Sequence, residues 1–155
     1  MCLFTESLVL AFAVMLSAGP GYPFSLSKML GAGDKQEFKT FKVIHPAGLK
    51  TLMAAAGGSL YIFDANVSEV RARFGVILNA KLLGSRDYDL SILPADKDAK
   101  LVFYCANTKC MASHEAARRA LKAGYTDVSV MVDGIVGWKL AHEQTAPAGS
   151  TTHRE

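Results

Sequence analysis

The sequence predicts an α/β sandwich: a mostly parallel central sheet with helices on both faces. Short apolar runs without polar alternation, such as Leu60-Tyr61-Ile62-Phe63 and Leu101-Val102-Phe103-Tyr104, read as strands buried on both faces. Helical segments with one apolar face separate such runs, so strand and helix alternate four or five times along the chain. Half of the 155 residues are hydrophobic and a fifth are charged, which suits one substantial core.

Residues 1–40 read as a leader and a polar arm, 41–144 as the folded domain and 145–155 as a flexible tail. Leu8 to Ala18 is an apolar run of signal-core length, shorter than the ~20 residues that span a bilayer. Glu6 precedes it and no Lys or Arg does; Gly19 and Gly21 come closest to a cleavage site. Two expectations stay open. Residues 8–18 act as an export signal or membrane tether, giving a periplasmic or tethered domain, or translation starts downstream, for example at Met29, giving a cytoplasmic one.

Phe41 to Ile44 is the first strand candidate. Pro46 suits the first helical position, where a missing N–H is harmless. Leu49, Leu52, Met53 and Ala56 then repeat at helical spacing, and Gly57-Gly58 ends the helix. Leu60 to Phe63 is a buried strand closed by Asp64. Asn66 and Glu69 have the spacing of a capping box for a helix whose Val67, Val70 and Phe74 share a face before Gly75 stops it. Val76-Ile77-Leu78 is a further apolar run, and Ala80 to Pro94 reads as a long irregular connection. Past the Leu101–Tyr104 strand, a helix from Ser113 carries Ala116, Ala117, Ala120 and Leu121 on one face and stops at Gly124. Val128 to Val132 is the next strand. Gly134 opens a last helix with Ile135, Trp138 and Ala141 on one side and Trp138 as its anchor.

The formal net charge of +3 carries no basic block, so a nucleic-acid partner is not expected. Three cysteines are too few for a disulfide-built scaffold. Cys2 lies in the leader, whereas Cys105 and Cys110 share one loop. A pair confined to one loop more often does chemistry than staples a fold, with a local disulfide as the alternative.

Cys105 stands at the end of a strand, where parallel sheets bind ligands. A free thiol titrates near ~8.5 and is a good nucleophile only as thiolate. A following helix N-terminus and loop amides aimed at the sulfur are expected to lower that value and to bind an anion such as a persulfide. Cys105 and Cys110 are thus the candidate catalytic residues. Ala106, Asn107, Thr108, Lys109, Met111, Ala112 and Ser113 are the candidate substrate-binding ones. Lys109 is the loop's sole fixed positive charge. Ser113 is expected first as a helix N-cap, with any contact from its hydroxyl to the sulfur secondary, and His114 as a neighbour able to move a proton.

Tyr104-Cys105, the helix with Ala116-Ala117, Gly124-Tyr125-Thr126-Asp127-Val128 and Asp133-Gly134-Ile135-Val136-Gly137-Trp138 follow one another in a specific order. Upstream stand Phe63-Asp64, Glu69 and Gly75-Val76-Ile77-Leu78-Asn79-Ala80. Together, over about Lys42 to Glu143, they resemble the rhodanese-like (sulfurtransferase) domain family, with a Cys-x4-Cys loop. The resemblance implies a rhodanese-like three-layer sandwich and Cys105 as the sulfur-accepting nucleophile. Sulfane sulfur would come from thiosulfate or a related donor, rest as a persulfide held by the loop amides, and pass to a thiophilic acceptor. No cofactor is expected. The chain departs from the family pattern at several places. Ala112 stands where a loop-closing Arg is common, the loop is about two residues longer, Val76, Leu78 and Asn79 replace His, Pro and Gly, and Asn66 replaces a frequent Arg.

Other chemistries use a strand-end cysteine. A Cys-x5-Arg phosphatase needs a guanidinium to hold the oxyanion, but Met111 occupies that position, which sets this reading aside. In a redox reading, Cys110 attacks a persulfide or sulfenic acid on Cys105 and leaves a disulfide for a thioredoxin-like reductant. Cys105, Cys110 and His114 as a soft-metal site, and a catalytically silent binding module, are the remaining alternatives.

Overall fold

The computed structural model describes residues 40–55 and 59–149. The leader and most of the arm, the Ala56–Gly58 helix end and the tail beyond 149 lie outside the described residues.

Strands β1 (Lys42–Ile44), β2 (Leu60–Asp64), β4 (Lys81–Leu82), β5 (Lys100–Tyr104) and β6 (Val128–Met131) form one parallel sheet in the order β1-β6-β5-β2-β4. Helices α1 (Pro46–Ala55), α2 (Ser68–Phe74), α3 (Ala112–Lys122) and α4 (Gly134–Leu140) connect and cover it. The predicted three-layer α/β sandwich is the observed one. One register row crosses the whole sheet through Ile44, Met131, Tyr104, Asp64 and Leu82. One residue further on stand His45, Val132, Cys105, Ala65 and Leu83. The ladder reaches that level: Val132 N–H donates to Ile44 O at 3.3 Å, Ala65 N–H to Tyr104 O at 2.9 Å and Leu83 N–H to Asp64 O at 2.9 Å.

Each sheet face has its own core. On one, Phe63, Phe103, Leu101, Val128 and Val130 pack under Ala116, Ala117 and Ala120 of α3, with Tyr88 and Leu93 from the long connection. Small side chains on α3 let that helix lie close to the sheet, and Phe63 stacks on Phe103 with ring centroids 5.0 Å apart. On the other, Ile62, Val102, Tyr104 and Met131 meet Leu49 of α1 and Ile135 and Trp138 of α4. Trp138 is the anchor its position predicts: it is buried, and its indole N–H donates to Gln144 O at 2.9 Å.

Several local expectations are corrected. The capping box does not form. Helix α2 starts at Ser68 behind Val67, which makes no side-chain cap, and Val67 is exposed. Asn66 turns its N–H to Asp64 Oδ1 at 2.7 Å instead, and Glu69 accepts from the Ser68 hydroxyl at 3.1 Å. The connection from Ala80 is not irregular throughout, since it contributes edge strand β4 and a 3-10 turn at Leu90–Ile92. The run after Gly75 does not join the main sheet. Strand β3 (Val76–Ile77) pairs antiparallel with β7 (Thr145–Ala146), so the segment expected to fray from Thr145 begins with two paired residues. Gly75, at φ 74°, allows that pairing, because a Cβ there would come 2.8 Å from Ala146 O.

Candidate active site

The C-terminal edge of the sheet is built by three connections. From β5, Cys105 enters the loop Ala106–Met111. From β2, Asp64-Ala65-Asn66 leads towards α2. From β6, Asp133 leads into α4.

The base of the Cys105 loop is fixed from below by α4. Ile135 N–H donates to Cys105 O at 2.8 Å and Val136 N–H to Ala106 O at 3.0 Å. Gly134 makes this approach feasible. It sits at φ 61°, and a Cβ there would come within 2.5 Å of Cys105 O and of the Ala106 carbonyl carbon. Inside the loop, Asn107 Oδ1 accepts the Lys109 N–H at 3.0 Å and Asn107 O accepts the Cys110 N–H at 3.0 Å. Asn107, Thr108, Lys109 and Met111 are exposed, while Ala106, Cys110 and Ala112 are half-buried.

The Cys105 sulfur is covered, with the residue only 2% exposed. Its S–H donates to Cys110 O at 3.1 Å, and it accepts the Ser113 hydroxyl at 3.3 Å. For Ser113 the expected order of roles is reversed. Helix α3 begins at Ala112, one residue before it, and the buried Ser113 hydroxyl serves the sulfur rather than a helix end.

The electrostatics correct the expected low thiol pKa. Burial first, and the neighbouring Cys110 side chain second, push the Cys105 thiol up to about 11. The Ser113 hydroxyl and backbone N–H pull the other way without overcoming burial. The loop amides of Lys109 and Cys110 are spent within the loop, and a carbonyl faces the thiol proton.

The β2 connection is a charged clamp. Asp64 is fully buried, and its Oδ1 accepts the Asn66 N–H at 2.7 Å and Arg71 Nε at 3.1 Å. Arg71 Nη2 also reaches Asp64 O at 3.1 Å and Leu83 O at 2.8 Å, tying β2 to the strand beside it. Asp64 Oδ2 and both carboxamide atoms of Asn66 are buried without a hydrogen-bond partner. Beneath Cys105, the Tyr104 hydroxyl accepts the Ile77 N–H at 3.0 Å, and burial with the nearby Asp64 carboxylate raises its pKa. Arg71 is absent from the sequence reading, although it supplies the cation that Asn66 does not.

His114 is partly buried. Its ring meets Phe41 edge-on with centroids 5.4 Å apart, and its Nδ1 has no hydrogen-bond partner. Among the described residues, no three or more His, Cys, Asp or Glu side chains are grouped to hold a metal ion, so Cys105, Cys110 and His114 do not converge on one point. Among the described residues, no helix is long and apolar enough to cross a membrane.

A parallel sandwich with a cysteine one residue past its central strand defines a class of strand-end thiol domains. The family follows from comparison: the model of the rhodanese-like domain matches residues 45–141, and the chain belongs to that family. No curated protein matches the chain. Among solved structures, the fold is similar to a Rhodopseudomonas palustris protein of unknown function described as a possible tyrosine phosphatase. The two share 22% identity over 68% of this chain and 85% of that one, with a TM-score of 0.58. A rhodanese-like domain protein from Staphylococcus aureus shares 25% identity over 63% of this chain and 91% of that one, at a TM-score of 0.50. Thiosulfate sulfurtransferase from Pseudomonas aeruginosa shares 19% identity over 67% of this chain, at a TM-score of 0.56, and only 20% of that enzyme's chain is covered.

Proposed function

We propose that the domain is a sulfurtransferase in which Cys105 carries sulfane sulfur as a persulfide. The observation that carries this reading is the Ser113 hydroxyl, 3.3 Å from a thiol buried at a strand end beside the start of α3. Once Cys105 loses its proton, the negative sulfur keeps that donor and the helix N-terminus, whereas the Cys110 carbonyl loses its partner. With thiosulfate as donor, Cys105 Sγ attacks the outer sulfur, the donor's S–S bond breaks and sulfite leaves with the electron pair. A thiophilic acceptor then takes the outer sulfur, and its electron pair stays on Cys105. Residues 106–113 form the substrate-facing loop, with Lys109 as an exposed cation for an anionic donor.

A second reading rests on Cys110, whose carbonyl touches the Cys105 sulfur at 3.1 Å. Its thiolate attacks Cys105 Sγ, a Cys105–Cys110 disulfide forms and hydrosulfide leaves. A thioredoxin-like dithiol restores both thiols.

Turnover of thiosulfate with cyanide, in wild type, Cys105→Ala and Cys110→Ala, separates the two. Sulfur transfer predicts loss only in Cys105→Ala. Full activity of Cys105→Ala overturns the assignment, and loss of only thioredoxin-coupled turnover in Cys110→Ala assigns Cys110 the resolving role.

A further inference from the structure

The geometry points to a further catalytic residue: His45, held by Asp133, takes the proton from an acceptor thiol as that thiol attacks the sulfur on Cys105, an inference that rests on the sulfur-transfer reading above. Two independent placements bring His45 to the site. The first is register. Ile44, Met131 and Tyr104 share one row, so His45, Val132 and Cys105 share the next. Two strand spacings set the backbones of His45 and Cys105 about 10 Å apart at one level of the sheet edge.

The second placement runs through Asp133. Its Oδ2 lies 2.7 Å from His45 Nδ1. Asp133 immediately precedes Gly134, which is packed so tightly on the Cys105 loop that a Cβ would come 2.5 Å from Cys105 O. The next two N–H groups of α4 bond the Cys105 and Ala106 carbonyls. Asp133 thus stands one residue before the part of α4 that holds the base of the loop, and its carboxylate holds His45.

The carboxylate on Nδ1 selects the tautomer that carries its proton on Nδ1, which leaves the lone pair on Nε2. The His45 side chain is 68% exposed, so Nε2 is open to an incoming acceptor. A persulfide extends Cys105 by about 2 Å, and in the proposed step the acceptor sulfur lies between it and Nε2. Other titratable groups near the loop are less suited. Glu115 is paired with Arg86 at 3.3 Å, and His114 is tucked against Phe41.

The step balances without an oxidant or reductant. The acceptor S–H proton passes to His45 Nε2 as the acceptor sulfur bonds the outer sulfur of the persulfide. The bond from that sulfur to Cys105 Sγ breaks, and Sγ keeps the electron pair. His45 returns its proton to solvent, and Cys105 regains one. A thiol needs this help because it is mainly protonated at neutral pH. Sulfite above its own pKa has no proton to lose.

The test loads wild type, His45→Gln and Asp133→Asn with sulfur from thiosulfate or inorganic polysulfide. It then follows a single discharge to glutathione at pH 6.5, where that thiol is about 1% ionised, or to sulfite at pH 8.5, each compared with wild type at the same pH. For His45→Gln the expected result is unchanged loading, discharge to glutathione slowed by about 100-fold, and discharge to sulfite unchanged. Asp133→Asn, as a positioning change, shows the same acceptor split with a smaller loss. Equal slowing with both acceptors would mark a purely structural role and overturn the inference, as would unchanged discharge to glutathione. Failure of the wild type to load would overturn the sulfur-transfer reading itself, and this inference with it.

Discussion

The connections leaving the adjacent strands β2 and β5 are closed by opposite means. The β2 connection is held by a buried ion pair, in which Arg71 binds the Asp64 carboxylate and two carbonyls. The β5 loop is anchored by backbone bonds at its ends, to α4 at Cys105 and Ala106 and to α3 at Met111. Between those ends, its sulfur is engaged by one thiol–carbonyl and one hydroxyl–thiol contact. A buried charge pair is costly to break, whereas neutral contacts to sulfur are weak. The domain thus sets an ion-paired wall beside a loop whose sulfur makes neutral contacts alone, and the proposed nucleophile belongs to that loop.

Asp64→Ala gives the largest expected effect. It leaves Arg71 without its counter-charge and costs about 3–5 kcal/mol in denaturant unfolding, while Cys105 alkylation in the folded fraction stays unchanged. A small stability loss would show that the wall is not held by the pair. Gly134→Ala comes next, at about 2–4 kcal/mol, because Ala is disfavoured at that positive φ and its Cβ meets the Cys105 and Ala106 carbonyls. Thermal unfolding checks it, and a neutral result would contradict the close approach. Tyr104→Phe, which strands the buried Ile77 N–H, costs about 1–3 kcal/mol on the same measurement.

Ser113→Ala has the smallest effect on stability and a clear one on the thiol. The Ser113 hydroxyl lowers the Cys105 pKa, so its removal moves the midpoint of iodoacetamide alkylation above that of the wild type. A lower midpoint would reverse the assigned sign. The raised thiol also sets a pH trend. Above the ordinary thiol pKa the unfolded chain loses this proton while the folded one keeps it. Stability is therefore fully present below that value and falls as pH climbs towards about 11.

The sheet and the position of Cys105 were legible because buried parallel strands are continuous apolar runs and the cysteine directly follows one. What escaped depended on neighbours far away in sequence. Asn66 has the spacing of a cap, but the Asp64 carboxylate captures its N–H and the helix starts later. Ser113 has the composition of a cap, but the sulfur holds its hydroxyl. Strand β4 is two residues long and carries no periodicity. The His45–Asp133 contact joins residues 88 apart, which only the β1–β6 pairing brings together. The expected low thiol pKa is not found because the helix start and the Ser113 contacts are outweighed by burial of the sulfur, which residues distant in sequence impose.

In the proposed reaction Cys105 accepts the sulfur. Mass spectrometry of the protein after incubation with thiosulfate, with peptide mapping under non-reducing conditions, tests it most directly. The expected result is one added sulfur on the peptide bearing Cys105 in wild type and Cys110→Ala, and none in Cys105→Ala. An added sulfur that persists in Cys105→Ala, or no addition in the wild type, would contradict it.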